Sequence, residues 1–103
     1  DSAHCDFILP SVLRRGELQV AVATGGASPA LARAIREELE RYFTEDYAIL
    51  SEVVAEVRRD LKERGVAASA ESWSRALNGG LRRLIRQKDI EGAKRYLREH
   101  VSA

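Results

Sequence analysis

A hydroxyl, two residues without side chains and a helix-start signal stand in a row at Thr24-Gly25-Gly26-Ala27-Ser28-Pro29. Free N–H groups in such a turn, at the positive end of a helix dipole, suit a carboxylate or a phosphate. Glycines also let a ligand approach the backbone closely. The same residues fit a tight strand-to-helix corner with no ligand, and spacing alone favours that corner. The turn is neither GxxxxGKS/T nor GxGxxG. Arg14 and Arg15 precede it, and Arg33 and Arg36 follow it. Together they could hold an anionic substrate with several carboxylates. As ordinary surface charges they would carry no function.

Other reactive side chains form no constellation. His4 and His100 are far apart in sequence, with no third ligand at a telling spacing for zinc. Cys5 is the only cysteine, so there is no internal disulfide, and a reducing cytoplasm is the expected compartment. Its neighbour His4 is too close in sequence to imply a dyad. Trp73, at helical spacing from Leu77, reads as core rather than as a stacking platform. The stretch "LRRLIRQKDIEGAKRYLREH" is locally basic, yet its charges ring an amphipathic helix pair and read as a solvated face.

The elements that must position the turn are legible. "FILPSVL" (7–13) and "ELQVAVAT" (17–24) read as two strands, with "RRGE" (14–17) as the turn between them. Pro10 makes the first strand an edge or a kinked strand. In the second, Leu18, Val20 and Val22 share one face. Ser28-Pro29 opens a helix carrying Leu31, Ile35, Leu39 and Tyr42 or Phe43. A second helix is expected from about Asp46 to Arg64, stopped by Gly65. Ser69 or Ser72 opens a short helix broken by Gly79-Gly80, Leu81 to Lys88 forms another, and Asp89 caps the last. The fold class is α+β, mainly α: an N-terminal β-hairpin followed by a helical bundle. Residues 1–45 read as a dimerisation region of hairpin and first helix, and 46–103 as a helical region.

The 103 residues suit one modest domain. Seventeen basic against sixteen acidic residues give +1, so no global field calls for nucleic acid or a membrane. No apolar run approaches the ~20 residues of a bilayer span. The chain opens on "DSAHCDF", without Met, as though cut from something longer.

The stretch "CDFILPSVLRRGELQVAVATGGASPALARAIREELE" resembles the central region of the siroheme synthase family. These are NAD-dependent precorrin-2 dehydrogenases, many of which are also sirohydrochlorin ferrochelatases. The F-I-x-P-S strand, the alternating strand and S/T-G-G-x-S-P-x-L-A-R occur there in the same order. The likeness is close over residues 5 to about 43 and looser to residue 100, where Trp73 matches a family tryptophan. The resemblance implies a homodimer, its hairpin edges pairing with the partner's strands, and a tetrapyrrole cleft between this region and a Rossmann domain of the same protein. NAD would be bound by that domain, whose glycine fingerprint is not in these residues. Ferrous iron would be the chelatase substrate. The family's acid/base aspartate falls one place before Asp1, so no catalytic residue is expected here and the chain alone should be inactive. The resemblance makes Thr24, Gly25, Gly26 and Ser28 the expected tetrapyrrole-binding residues, with Arg14 or Arg15 helping.

Overall fold

The structure, a computed structural model, describes residues 9–102. Asp1, His4, Cys5 and Phe7, with the readings attached to them, lie outside the described residues. Two short strands come first, β1 (Ser11–Arg15) and β2 (Leu18–Val22), paired antiparallel with Ser11 opposite Val22 and Arg15 opposite Leu18. In β2 the alternation holds: Leu18, Val20 and Val22 are half-buried while Gln19 and Ala21 are exposed. Arg14 and Arg15, expected in the turn, belong to β1 instead. The turn needs only Gly16-Glu17, because Gly16 at φ 60° closes a two-residue hairpin. Pro10 precedes β1, so its missing N–H costs the ladder nothing.

Five helices follow among the described residues. Helix α1 (Pro29–Tyr42) packs on both strands. Helix α2 (Glu45–Glu63) ends on Gly65, whose φ of 70° lets Val66 N–H reach the Leu61 carbonyl at 2.9 Å. Helix α3 (Ala70–Ala76) is capped by Ser69, which accepts from the Ser72 N–H. Helix α4 spans Gly79–Arg86 and α5 spans Ile90–Val101, the latter capped by Asp89 as expected.

Gly79-Gly80 does not simply break a helix. The pair forms the first turn of α4 behind the N-cap Asn78, whose Oδ1 accepts the Leu81 N–H at 3.1 Å. A Cβ on Gly80 would stand 2.5 Å from the Tyr96 hydroxyl. Glycine there admits the Tyr96 ring, and its hydroxyl donates to the same Asn78 oxygen at 2.9 Å.

The core lies between α2 and the last three helices: Val53, Val57 and Leu61 meet Ala76, Leu81, Ile85, Ala93, Leu97 and Val101. Each large side chain buried there is worth about 1.5–3 kcal/mol. Trp73 packs against this cluster, half-buried. The basic C-terminal third turns several of its charges toward acids of α2. Lys94 meets Glu56 at 2.9 Å, Arg98 meets Asp60 at 3.0 Å and Lys88 meets Asp46 at 2.5 Å. The hairpin and α1 form the thinner end of a body measuring 53 × 30 × 19 Å. Among the described residues, only Leu13 and Ala32 are buried there. No helix among the described residues is long and apolar enough to cross a membrane.

Candidate functional site

The strand β2 delivers the chain to Thr24, and α1 begins five residues later. Between them, Ala27 N–H donates to the Thr24 carbonyl at 3.1 Å, and both central residues have positive φ, 66° at Gly25 and 87° at Gly26. Glycine takes such positions at no steric cost, and among other residues asparagine tolerates them best. A Cβ at either glycine would meet nothing within 4 Å. The glycines are therefore favoured by the turn's backbone, and they face open space.

The two hydroxyls of the turn are already engaged. Thr24 Oγ1 accepts the Ser28 N–H and donates to the Ser28 carbonyl, both at 3.1 Å. Ser28 Oγ accepts the Leu31 N–H at 3.1 Å, and Pro29 stands at the first helical position with no N–H to satisfy. Among the described residues, the N–H groups of Gly25, Gly26 and Ala30 have no partner. These donors, at the start of a 14-residue helix, are what the turn offers an anion.

Beside the turn, Pro10, Ser11, Thr24, Pro29 and Arg33 line a shallow depression of about 210 Å³. Arg33 is exposed on its rim and pairs with no carboxylate among the described residues. It lies four residues after Pro29, so one helical turn brings it over the same face. Its neighbour Arg36 is committed to the fold: Nε donates to Ser11 Oγ at 2.9 Å, and a second nitrogen meets Glu40 at 2.5 Å.

The structure thus gathers Thr24, Gly25, Gly26 and Ser28 and adds Arg33. It places Arg14 and Arg15 at the other end of the hairpin, next to Gly16. Arg15 clamps the end of α1, donating to the carbonyls of Phe43 at 2.5 Å and Glu40 at 3.2 Å. Arg14 is exposed, opposite Gln19. Of the two histidines, His100 lies on α5, its Nδ1 2.8 Å from the Tyr96 carbonyl.

Residues 15–42 match the family model described as sirohaem biosynthesis protein, central. A siroheme synthase of Mannheimia succiniciproducens is 35% identical over 99 residues, 94% of this chain and 21% of that protein. One of Nitrosococcus oceani is 39% identical over 94 residues, 86% of this chain and 20% of that protein. Among solved structures, SirC, a precorrin-2 dehydrogenase, aligns at a TM-score of 0.64 and 25% identity, over 88% of this chain and 48% of that one. The chain spans about a fifth of the length of the curated relatives it matches. The matched model covers β1's last residue, β2, the glycine turn and α1, and over that shared stretch the chain is similar to the central region of the siroheme synthases.

Proposed function

We propose that this chain supplies one wall of the tetrapyrrole site in a siroheme-biosynthesis enzyme. That enzyme oxidises precorrin-2 to sirohydrochlorin with NAD and takes ferrous iron as a further substrate to give siroheme. The observation that carries the reading is the glycine turn, with its free N–H groups and Arg33, inside the stretch matched to the sirohaem central family. Precorrin-2 carries many carboxylates, and N–H groups at a helix start with an arginine alongside are suited to hold one. In this reading Gly25 and Gly26 bring backbone donors to a carboxylate arm, while Thr24 and Ser28 keep the turn closed. Arg33 supplies the positive charge. Arg14, exposed at the far end of β1, is proposed for a more distant arm, and Arg15 supports the helix that carries the wall.

The residues present do not fit NAD: no GxGxxG turn occurs in the chain. Hydride transfer is assigned to none of them.

We further propose residues 1–45 as a dimerisation region and 46–103 as a helical region. The outer edges of β1 and β2 have no strand partner among the described residues, and Leu31 of α1 is 48% exposed. Open edges, with an uncovered apolar residue on the helix packed against them, favour association with a second copy.

An anaerobic visible-absorption titration with sirohydrochlorin at moderate salt tests the cleft reading. Gly25→Asn is the informative variant, because asparagine tolerates positive φ and the added side chain meets nothing in the fold. A saturable spectral change, weakened in Gly25→Asn and Arg33→Gln, supports the wall. A saturable change unaffected by both variants overturns it. No change at all, with dimers in sedimentation, makes this chain a structural dimerisation module instead.

A further inference from the structure

A second cavity lies between the start of α2 and α4. It measures about 190 Å³ and is lined by Thr44, Asp46, Tyr47, Leu50, Arg82 and Arg86, with Ile85 at its base. Three observations bear on what it holds. Arg82 Nε is buried and has no hydrogen-bond partner among the described residues. A buried guanidinium nitrogen without an acceptor is uncommon, since the charged donor has left water and gained nothing in return. The Arg82 guanidinium lies 5.5 Å from the centre of the Tyr47 ring, within reach of a cation–π contact.

The charge balance is one-sided. Asp46, the one acid lining the cavity, is paired with Lys88 at 2.5 Å. Neither Arg82 nor Arg86 pairs with a carboxylate among the described residues. Thr44 adds a hydroxyl, and as N-cap of the 19-residue α2 its side chain makes no capping bond. The Tyr47 phenol is held below its ordinary range, by its hydrogen bond with Tyr42 first and by Arg82 in addition, against the opposing effect of burial.

We propose that this cavity binds one oxyanionic group, a carboxylate or a phosphate, of a small ligand. Arg82 and Arg86 are its cations, and Thr44 and Tyr47 its hydroxyl donors. At about 190 Å³ the space is below the roughly 300–1,000 Å³ of a pocket for a whole drug-sized molecule. It fits a single anionic group, so the remainder of the ligand lies outside over the exposed ring of Tyr42. This site does not depend on the tetrapyrrole reading, because it shares no residue with the glycine turn.

The test is a titration of the nitrogen-15-labelled chain with inorganic phosphate and, separately, with acetate, against sodium chloride at matched ionic strength. The expected result is a saturable shift of the Arg82 Nε–H resonance and of the amides of residues 44–47 with at least one oxyanion. Arg86→Gln, at an exposed position, should weaken that binding about tenfold, the equivalent of one lost charged contact. Arg82→Gln should abolish it. Shifts equal to those in chloride would overturn the proposal, and so would saturable binding unchanged in Arg86→Gln. Because Arg86→Gln leaves the buried face of α4 intact, a folding defect in Arg82→Gln would not obscure the outcome. The distinction between phosphate and acetate identifies which oxyanion the ligand carries.

Discussion

Thr24 and Ser28 hold each other twice: one hydroxyl accepts the serine N–H and donates to the serine carbonyl, each at 3.1 Å. The threonine side chain is thus a clasp across the glycine turn. Thr24→Ser keeps the clasp and should change stability by less than about 0.5 kcal/mol. Thr24→Val keeps the shape but leaves the Ser28 N–H without its acceptor, at a cost of about 1 kcal/mol. Urea unfolding of the two variants checks this. Equal stabilities would show that the clasp contributes nothing.

Gly16 is the tightest backbone position of the hairpin. At φ 60° a Cβ would lie 2.8 Å from Ser51 Oγ and 3.0 Å from the Ala48 carbonyl. Ser51 in turn accepts the Glu17 N–H at 3.1 Å, tying the hairpin to α2, while its own proton lies between the Ala48 carbonyl at 2.9 Å and the Arg15 carbonyl at 3.3 Å. Gly16→Ala therefore meets both strain and a clash, and it should destabilise by about 1–3 kcal/mol. Thermal unfolding reads the loss. A neutral substitution would mean that the hairpin does not rest on α2 in solution.

Lys88 occupies the left-handed region at φ 62°, where it closes α4 through the Asp89 N–H bond to the Leu84 carbonyl at 3.0 Å. A non-glycine residue there costs about 1 kcal/mol. The exposed pair with Asp46 returns roughly 0.2–1 kcal/mol. Lys88→Gly should accordingly stabilise the chain by about 0.5 kcal/mol. A clear loss of stability would show that the pair with Asp46 outweighs the backbone strain.

Tyr42 and Tyr47 should titrate in opposite directions from the ordinary phenol value of about 10. Their mutual hydrogen bond is the leading cause for both: it lowers Tyr47 and raises Tyr42. As pH rises, Tyr47 loses its proton first, and the resulting negative charge holds the Tyr42 proton longer. In Tyr42→Phe the Tyr47 step moves up, and in Tyr47→Phe the Tyr42 step moves down. Ultraviolet titration of the three proteins measures both steps, and two unmoved steps would contradict the contact.

The parts of this fold that were readable from sequence are those decided by near neighbours. Ser28-Pro29, Ser69 and Asp89 announce helix starts because a cap acts within three residues. Gly65 announces a helix end because positive φ is a property of that residue. Gly79-Gly80 was misread as a break for the opposite reason. Its purpose depends on Asn78 as a cap and on Tyr96, sixteen or more residues away, needing room. Arg14 and Arg15 have the polarity of turn residues, but Gly16 at φ 60° needs only Glu17 to close the loop, so both arginines pair within the ladder. At the candidate site, Thr24, Gly25, Gly26 and Ser28 were legible as a local motif. Which of four arginines serves it was not, since Arg36 is engaged by Ser11 and Arg15 by the carbonyls of Glu40 and Phe43, partners distant in sequence. The cavity around Arg82 left no local trace at all: it is assembled from the start of α2 and one face of α4.

The candidate glycine turn sits in the part of the molecule where, among the described residues, only Leu13 and Ala32 are buried. That end has few apolar contacts to keep it shut, so its local opening free energy is lower than that of the helical core. Only the closed population presents an ordered turn. The apparent affinity of any ligand for it is the intrinsic affinity reduced by the closed fraction. A side chain that lines no part of the depression beside the turn, Leu13, thereby becomes a determinant of how tightly the turn binds.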